Sequence, residues 1–384
     1  MRRILGLLVL IVVPALGRAD GFTSAAPMSA GRAYHTLTPL DNDSVLVAGG
    51  FGDGVPQASA EIFHRSTGTW TAAAPLLPAR GLHTATRFET GPLAGKVLVV
   101  GGWALDYWGI SYFLDTAELY DPALNTWTPA GSLNVARVGH TATLLDSGKV
   151  LVTGGECNVV AGEGCWTDTA ELYDPATNAW SLLTARLNTV RYTHTATKMK
   201  SGQVLIVGGN MTAGPWAEVY DPDAGTFAAT REELLVPTGD HTATLLEGGQ
   251  NGGKVLVVGG RQEGTTAAQL YDPANGTWAL AASMGTPRRG HTATLLKNGK
   301  VLVTGGVSVD TSGPSWIWTP YASAELYDPA SDAWTATTTS LSTPRFFHAA
   351  VAFGPDGQVL VTGGYGLTTG SLITSYFQNV ADLY

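Results

Sequence analysis

Histidine and arginine recur at fixed positions along this chain, and both residue types can do chemistry. Histidine can act as a general base or a metal ligand, and the planar guanidinium of arginine binds carboxylate or sulfate groups. Seven of the 8 histidines occupy the recurring position. They are His35, His83, His140, His194, His241, His291 and His348. Six of them follow an arginine by three residues, namely Arg32, Arg80, Arg137, Arg191, Arg288 and Arg345.

The histidines are interpreted as structural. One equivalent histidine per repeat is most simply one hydrogen bond made seven times, because buried polar groups need partners. Seven such side chains do not converge on one metal ion. We therefore expect no metal site and no catalytic residue among them.

The arginines are interpreted together with an acidic residue that recurs later in each repeat. The acids are Glu61, Glu118, Glu171, Glu218, Glu325 and Asp382. The fifth repeat has Thr238 in place of the arginine and Gln269 in place of the acid. Since the repeat without the base also lacks the acid, we expect each arginine to pair with its acid in the scaffold. The alternative is a ring of arginines that traps anionic groups of a ligand.

The 11 tryptophans divide into two sets by position. Five of them follow a recurring Phe or Tyr by seven residues: Trp70, Trp127, Trp180, Trp278 and Trp334. The other six lie between a glycine pair and the acidic segment, together with several tyrosines. The candidate ligand-binding residues of this second set are Trp103, Tyr107, Trp108, Tyr112, Trp166, Trp216, Trp316, Trp318, Tyr321 and Tyr365. Such rings stack on sugars or anchor a protein partner, and the alternative is that they pack on one another to order loops.

Short strands must position all of these side chains. The segment 291–296 is followed by the turn Lys297–Gly299 and then by a hydrophobic run that ends in the pair Gly305–Gly306. A second hairpin joins the acidic segment to the tryptophan segment. The same four strands recur in each unit of about fifty residues, so the fold class is predicted to be all-β.

A glycine pair, then a tyrosine, then a tryptophan seven residues later resembles the kelch repeat. The likeness extends over Gly21–Tyr384. It implies a seven-bladed kelch-type β-propeller with four antiparallel strands per blade around a central channel. In such a fold the aromatic loops emerge at one end, where the arginine ring of the alternative interpretation would lie at the channel mouth. The loops of blades 4 and 5 are the shortest, which predicts a walled basin open over those blades.

The two ends of the chain predict how the ring closes. The last repeat stops at Ala381–Tyr384 and lacks a fourth strand. Phe22 precedes His35 by 13 residues, just as Trp70 precedes His83. We therefore expect residues 21–24 to pair with the last strand and close the ring, which leaves no exposed sheet edge.

The first residues have the order of a secretory signal peptide. Arg2 and Arg3 precede an apolar run over Ile4–Val13, and Pro14 and small residues follow. Residues 1–19 are predicted to be the signal peptide and residues 20–384 a single propeller, located outside the cell, in the periplasm or at the cell surface. In an oxidising compartment we expect Cys157 and Cys165 to form a disulfide. A reactive thiol or half of a metal site is the alternative.

Composition and charge exclude several functional classes. Charged residues make up only 14% of the chain and glycine supplies 48 residues, which favours short strands and tight turns over helical bundles. The formal net charge is −9, and no basic run occurs beyond Arg2–Arg3, so nucleic acid is not an expected partner. No other apolar stretch is long enough to span a bilayer as a helix. We expect a monomer that does not span a membrane.

An enzyme is the alternative to a binding protein. Some kelch-type propellers are copper-radical oxidases similar to galactose and glyoxal oxidases, and the segment Arg32-Ala33-Tyr34-His35 resembles their R-x-Y-H motif. That resemblance also requires a cysteine cross-linked to a second tyrosine and a histidine from a further domain. Both cysteines lie in one loop, and no such domain follows Tyr384 in this sequence, so copper is expected only under this disfavoured alternative. A sugar-modifying enzyme rests on fold alone. We expect no cofactor, and recognition of an extracellular glycan or protein.

Overall fold

Short antiparallel strands dominate the computed structural model, which describes residues 21–160, 163–209, 216–260, 265–312, 316–367 and 375–384. They form seven four-stranded sheets, and in each sheet the strands lie side by side in the order first to fourth. We number these sheets as blades 1 to 7. The all-β, seven-bladed kelch-type propeller expected from the sequence is confirmed. Among the described residues, no helix is long and apolar enough to cross a membrane.

The blade strands are short and nearly equal in length. Blade 1 comprises Thr36–Pro39, Ser44–Ala48, Ala60–His64 and Thr69–Ala73. Blade 2 comprises Thr84–Arg87, Val97–Val100, Thr116–Asp121 and Thr126–Ser132, and blade 3 comprises Thr141–Leu144, Val150–Thr153, Ala170–Asp174 and Ala179–Leu182. Blade 4 comprises Thr195–Lys198, Val204–Val207, Ala217–Asp221 and Thr226–Ala229, and blade 5 comprises Thr242–Leu245, Val255–Val258, Ala268–Asp272 and Thr277–Ala281. Blade 6 comprises Thr292–Leu295, Val301–Thr304, Ala324–Asp328 and Ala333–Ala336, and blade 7 comprises Ala349–Phe353, Gln358–Thr362, Ala381–Leu383 and Thr23–Ala25.

Strands from both termini close the ring in blade 7. Thr23–Ala25 pairs antiparallel with Ala381–Leu383, so that Thr23 lies opposite Leu383. The ring of Phe22 lies 5.0 Å from that of Tyr384. The first strands of the blades contact one another in cyclic order, from blade 1 through blade 7 and back to blade 1. The predicted closure is therefore confirmed.

The repeated tryptophans pack between neighbouring blades. Trp127 packs against the cluster formed by blades 1 and 2, and Trp180 against the cluster formed by blades 2 and 3. The indole N–H donates to a carbonyl oxygen of the preceding blade in four cases: Trp70 to Ala26, Trp127 to Ala74, Trp180 to Ala130 and Trp334 to Ala282, at 2.7–2.8 Å. These rings thus join adjacent sheets by apolar burial and by a hydrogen bond.

The antiparallel strand order gives the propeller two different ends. The turns between first and second strands and between third and fourth strands lie at one end, which we call the turn face. The connections between second and third strands and between blades lie at the other end, which we call the loop face. Five of the loop-face connections contain short accessory strands: Phe51–Gly52 with Val55–Pro56, Trp103–Leu105 with Ser111–Phe113, Glu156–Val160 with Arg137–Val138 and Glu163–Trp166, Val307–Asp310 with Ile317–Pro320, and Tyr365–Leu367 with Ser375–Phe377.

These accessory strands belong to blades 1, 2, 3, 6 and 7, which carry the longer loops. In blade 3 the two cysteines pair across the hairpin, and the predicted Cys157–Cys165 disulfide is confirmed. The loops of blades 4 and 5 include residues 210–215 and 261–264, outside the described residues, so the walled basin stays a prediction. Residues 1–19 also lie outside them, and the signal peptide and domain boundary stay predictions.

Candidate functional site

One residue per blade surrounds the central channel on the loop face, directly before the recurring histidine. These seven residues, which we call the mouth ring, are Tyr34, Leu82, Gly139, Thr193, Asp240, Gly290 and Phe347. All have left-handed backbones, with φ between 50° and 63°. Backbone hydrogen bonds link neighbours around the ring, for example from Leu82 N to Tyr34 O at 3.2 Å and from Phe347 N to Gly290 O at 2.8 Å.

The mouth ring and the seven histidines line a cavity of about 320 Å³. Leu82, Tyr34 and Phe347 stand on the adjacent blades 2, 1 and 7, whereas Thr193 and Asp240 stand on blades 4 and 5. The cavity therefore has an apolar arc and a polar arc. Asp240 carries the only carboxylate among the residues that line it, and none of these lining residues, all within the described ranges, is a lysine or arginine.

The histidines under the mouth ring are buried and join the blades. Each Nε2 lies 2.8–3.1 Å from a threonine hydroxyl of the preceding blade: His83 from Thr36, His140 from Thr84, His194 from Thr141, His241 from Thr195, His291 from Thr242, His348 from Thr292 and His35 from Thr362. Blade 7 has Ala349 where the other blades have this threonine, and Thr362 of the next strand supplies the hydroxyl instead. The predicted repeated hydrogen bond is confirmed.

Burial keeps these histidines neutral. Desolvation, together with the positive charge of nearby arginines, lowers the pKa of His83 and His194 to about 3. The same two causes lower the pKa of His35, His140 and His348 well below its ordinary value. The pKa of His241 falls less, to about 4, because the Asp240 carboxylate opposes the desolvation.

The six repeated arginines lie in the scaffold. Each is almost completely buried and forms an ion pair of 2.7–3.0 Å with the acid of its own blade: Arg32 with Glu61, Arg80 with Glu118, Arg137 with Glu171, Arg191 with Glu218, Arg288 with Glu325 and Arg345 with Asp382. Each guanidinium also donates to a glycine-pair carbonyl, as Arg137 does to Gly154 O at 2.7 Å. In the described structure none of the six lines the cavity at the channel mouth.

Blade 5 satisfies the same backbone groups without charge. Thr238 Oγ1 donates to the carbonyl oxygen of Gly259 at 2.7 Å, where the other blades use an arginine. The Gln269 side chain accepts from Val236 N and donates to Val236 O, both at 2.9 Å. A neutral pair thus replaces the ion pair in this blade.

A continuous band of aromatic rings crosses the loop face from blade 6 to blade 2. Its members, which we call the aromatic band, are Trp318, Phe346, Phe347, Tyr365, Phe377, Tyr34, Phe51 and Trp103. The rings that contact one another within this band have centroids 4.6–6.1 Å apart, and Tyr34 stacks on Phe347 at 4.6 Å. The guanidinium of Arg289 lies 4.5 Å from the Trp318 ring, in cation–π contact.

Phe51, Phe346 and Phe347 belong to this band and were not among the sequence candidates. Their positions within the repeat are the sequence signal that could have identified them. Phe51 follows its glycine pair as Trp103 and Tyr365 follow theirs, and Phe346 and Phe347 directly precede His348. Isolated bridges bring these two positions together, because Ala33 pairs with Phe51 and Phe346 with Tyr365.

The most exposed aromatic side chains lie on the accessory hairpin of blade 2. Tyr107 is 95% exposed, Trp108 80% and Ile110 64%. The turn that carries them is held by one side chain, since Asp106 Oδ1 accepts from Trp108 N at 2.9 Å and from Ile110 N at 2.7 Å. A rigid turn thus presents three large apolar groups to solvent.

The other candidates divide between the surface and the scaffold. Trp316 is exposed, Tyr112 lies on the blade 2 hairpin, and Trp166 stacks on Tyr192 at 5.6 Å. Trp216, however, packs against the buried cluster between blades 4 and 5. Tyr321 donates its hydroxyl to Ser308 Oγ at 2.7 Å and stands over Arg288. The rings of Trp216 and Tyr321 therefore pack within the protein, in agreement with the alternative interpretation that loop aromatics order the loops.

Comparison with known proteins agrees with this architecture. A sequence model of the KLHDC2/KLHL20/DRC7 kelch-repeats domain matches residues 139–364, more than half of the chain, and the kelch motif matches residues 86–134. The chain belongs to the kelch-repeat family.

Relatives share the kelch region and only part of their length with this chain. Mouse Kelch-like protein 23 is 25% identical over 76% of the chain and 39% of its own length. Human Kelch-like protein 33 is 32% identical over 38% of the chain and 25% of its own length. The kelch-repeat chain thus spans less than half the length of these relatives.

Solved structures show the same fold at low identity. One is a copper complex described as a novel fungal alcohol oxidase with catalytic diversity among the AA5 family. It superposes with a TM-score of 0.72 at 19% identity, over 95% of this chain and 76% of its own. The structure of YjhT gives a TM-score of 0.54 at 15% identity, over 91% of this chain and 99% of its own.

The residues of this propeller do not fit a copper centre. His35 Nε2 is engaged with Thr362 Oγ1, and both cysteines are joined in the disulfide, which leaves neither for a cross-link to tyrosine. Within the described ranges, no group of three or more His, Cys, Asp or Glu side chains is placed to hold a metal ion.

Proposed function

We propose that this protein is an exported binding module whose loop face recognises another protein. The observation that carries the proposal is the blade 2 hairpin, where Tyr107, Trp108 and Ile110 are exposed on one turn. Isolated surface aromatics are common, but a group of them on one rigid turn marks an interaction site. A second exposed pair, Trp316 and Ile317, stands on the same face in blade 6.

Rigidity supports recognition through this hairpin. Besides the Asp106 bonds in the turn, Asn158 of blade 3 accepts from Phe113 N at 2.8 Å and donates to Phe113 O at 3.1 Å. Hydrogen bonds within its turn and from blade 3 therefore hold the hairpin in place. A preorganised aromatic anchor loses little conformational entropy on binding, which favours affinity.

Kelch-repeat proteins bind protein partners, which favours a protein as the ligand. Export rests on the signal peptide predicted for residues 1–19. A glycan is the second candidate ligand, because the exposed Trp108 and Trp316 rings offer flat faces on which sugars stack.

The test uses immobilised mature protein and extracellular material from the source culture. Proteins and polysaccharides retained by the wild type are compared with those retained by Trp108→Ala and by Leu124→Ala. Leu124 is a matched control because it is 71% exposed on the turn face. We expect Trp108→Ala to lose the retained species and Leu124→Ala to keep them, both with unchanged melting temperatures. Equal retention by both variants would contradict the proposal.

A further inference from the structure

Three residues of the mouth ring carry bulky apolar side chains where the backbone favours glycine. Tyr34, Leu82 and Phe347 have φ of 53°, 56° and 50°. Left-handed φ is unfavourable for bulky L-residues, and Gly139 and Gly290 show that glycine occupies this position in two other blades. Sparsely populated backbone conformations cluster at binding sites, where the side chain is needed at that point.

Packing in the core does not explain these three side chains. Tyr34, Leu82 and Phe347 are half-buried, and in the described part of the chain none of them belongs to the apolar clusters that join neighbouring blades. All three instead line the cavity at the channel mouth, on the adjacent blades 1, 2 and 7. They therefore form one continuous apolar wall that faces the cavity.

Neighbouring rings hold the aromatic part of this wall in place. Tyr34 and Phe347 stack with centroids 4.6 Å apart and an interplanar angle of 25°. Phe51 and Tyr365 contact Tyr34 edge to face, with centroid distances of 6.1 and 5.8 Å. A Cβ at Gly290 would lie 2.7 Å from Phe347 Cε1, so the glycine makes room for the phenyl ring. A wall that is already ordered loses little conformational entropy when a ligand binds.

The charged groups around the mouth are engaged within the protein. Asp240 lines the cavity and already interacts with another residue. Arg289, which precedes Gly290 of the mouth ring, lies over the Trp318 ring at 4.5 Å. The six repeated arginines are paired with acids, and burial keeps the histidines under the ring neutral by lowering their pKa, to about 3 for His194. A charged ligand group would therefore lose hydration here without a matching gain.

The threonine of the polar arc presents its methyl group to the cavity. Thr193 lines the cavity, yet its Oγ1 is buried out of contact with solvent. A Cβ at the neighbouring Gly139 would lie 3.8 Å from Thr193 Cγ2. The side-chain surface that a ligand can reach on this residue is therefore apolar, like the wall of the adjacent blades.

We propose that the channel mouth binds an aromatic side chain presented by the partner protein. Aromatic rings packed against one another gain more than their buried area alone provides. An apolar cavity of about 150 Å³ holds benzene, so the cavity of about 320 Å³ at the mouth has room for a ring as large as indole. Leu82 stands on blade 2, which also carries the exposed Trp108 hairpin, so one partner can contact both. The inference rests on the proposed function, because the ring belongs to the protein recognised by the loop face.

The test uses small probes rather than the partner. N-acetyl-tryptophan amide, N-acetyl-glutamine amide and N-acetyl-lysine amide are titrated into the mature protein at pH 7.5, with N-acetylglucosamine as the glycan probe. Binding is followed by calorimetry or ligand NMR. We expect the tryptophan probe to bind at least about tenfold more tightly than each of the others, which corresponds to ~1.4 kcal/mol.

Variants assign the probe to the channel mouth. Leu82→Asn replaces part of the apolar wall by a polar side chain that tolerates left-handed φ, so it is expected to weaken the tryptophan probe several-fold without lowering the melting temperature. Gly139→Asn narrows the cavity from the next blade and is expected to weaken the probe as well, since a Cβ there makes only ordinary contacts of 3.7 Å or more. Trp316→Ala is the matched control, because Trp316 is an exposed loop-face ring that does not line the cavity, and its affinity should equal that of the wild type.

Three outcomes would overturn the inference: no preference for the tryptophan probe over the polar probes and the sugar, wild-type affinity in both Leu82→Asn and Gly139→Asn, or loss of affinity in Trp316→Ala alone. Retention of a partner that depends on Trp108 would survive any of these results. Failure of the mouth site and failure of the proposed function are therefore distinguishable.

Discussion

Acidification is expected to unfold this propeller steeply between about pH 6 and 5, because seven buried histidines must take up protons when the chain unfolds. An unfolded histidine has a pKa of about 6.5. In the folded protein the pKa is about 3 for His83, His194 and His291 and about 4 for His241. Each group therefore stabilises the fold above pH ~6.5, and this stability is lost as the pH falls toward the folded values.

The size of the effect follows from the number of groups. At pH 5.5 an unfolded histidine is about 90% protonated, so each buried neutral histidine lowers the free energy of unfolding by ~1.4 kcal/mol relative to pH 7.5. Seven such groups amount to ~10 kcal/mol, comparable to the whole stability of a typical domain. Ordinary carboxylates titrate mostly below pH 5, so the histidines dominate this window.

The assay is urea unfolding at several pH values from 7.5 to 5.5. We expect the free energy of unfolding to fall with a slope that approaches seven protons at the acid end. His194→Gln should remove about one proton from that slope, whatever its effect on the stability at pH 7.5. Equal stability at pH 7.5 and 5.5, or an unchanged slope in His194→Gln, would refute the reasoning.

Three further predictions concern the scaffold. Arg137→Thr should lower the free energy of unfolding by ~3–5 kcal/mol, because it leaves the buried Glu171 carboxylate without its partner. The double variant with Glu171→Gln reproduces the residue pair of blade 5 and should recover most of that loss in urea unfolding. A double variant as unstable as the single one would contradict this. Trp127→Phe loses the hydrogen bond to Ala74 O, whereas the Trp278 indole nitrogen has no partner among the described residues. Trp127→Phe should therefore lower the free energy of unfolding by ~1 kcal/mol more than Trp278→Phe. An equal loss in both variants would show that the hydrogen bond contributes nothing. Removal of residues 21–25 takes the outer strand from blade 7 and should lower the melting temperature and promote aggregation. An unchanged melting temperature would show that the closing strand does not stabilise the ring.

Sequence periodicity was sufficient for the fold because each repeat specifies the same local contacts. The glycine pairs and the spacing between tyrosine and tryptophan predicted the blades. Phe22, which has the position of a repeat tryptophan relative to His35, predicted how the ring closes. The joint change to Thr238 and Gln269 in one repeat predicted the six ion pairs, since a buried charge and its partner are lost together. Each of these inferences depends on comparing positions within the chain.

The site was less predictable because it depends on where unlike positions meet in space. The repeat register aligns Phe347 with Tyr34, but it does not show that Phe51 and Phe346 lie beside this pair, because bridges between separate segments bring them there. Exposure is also invisible in the sequence. Trp108 and Trp216 occupy similar places in their repeats, yet one is 80% exposed and the other packs against the core.

The central claim is that the loop face is the binding surface, and site-specific photo-cross-linking tests it most directly. A benzoylphenylalanine is placed at Trp108 or, as the control, at Leu124 on the turn face, and each protein is irradiated with the extracellular material. The account predicts a defined cross-linked protein from position 108 and none from position 124. Cross-linking from position 124 alone, or equally from both positions, would contradict it.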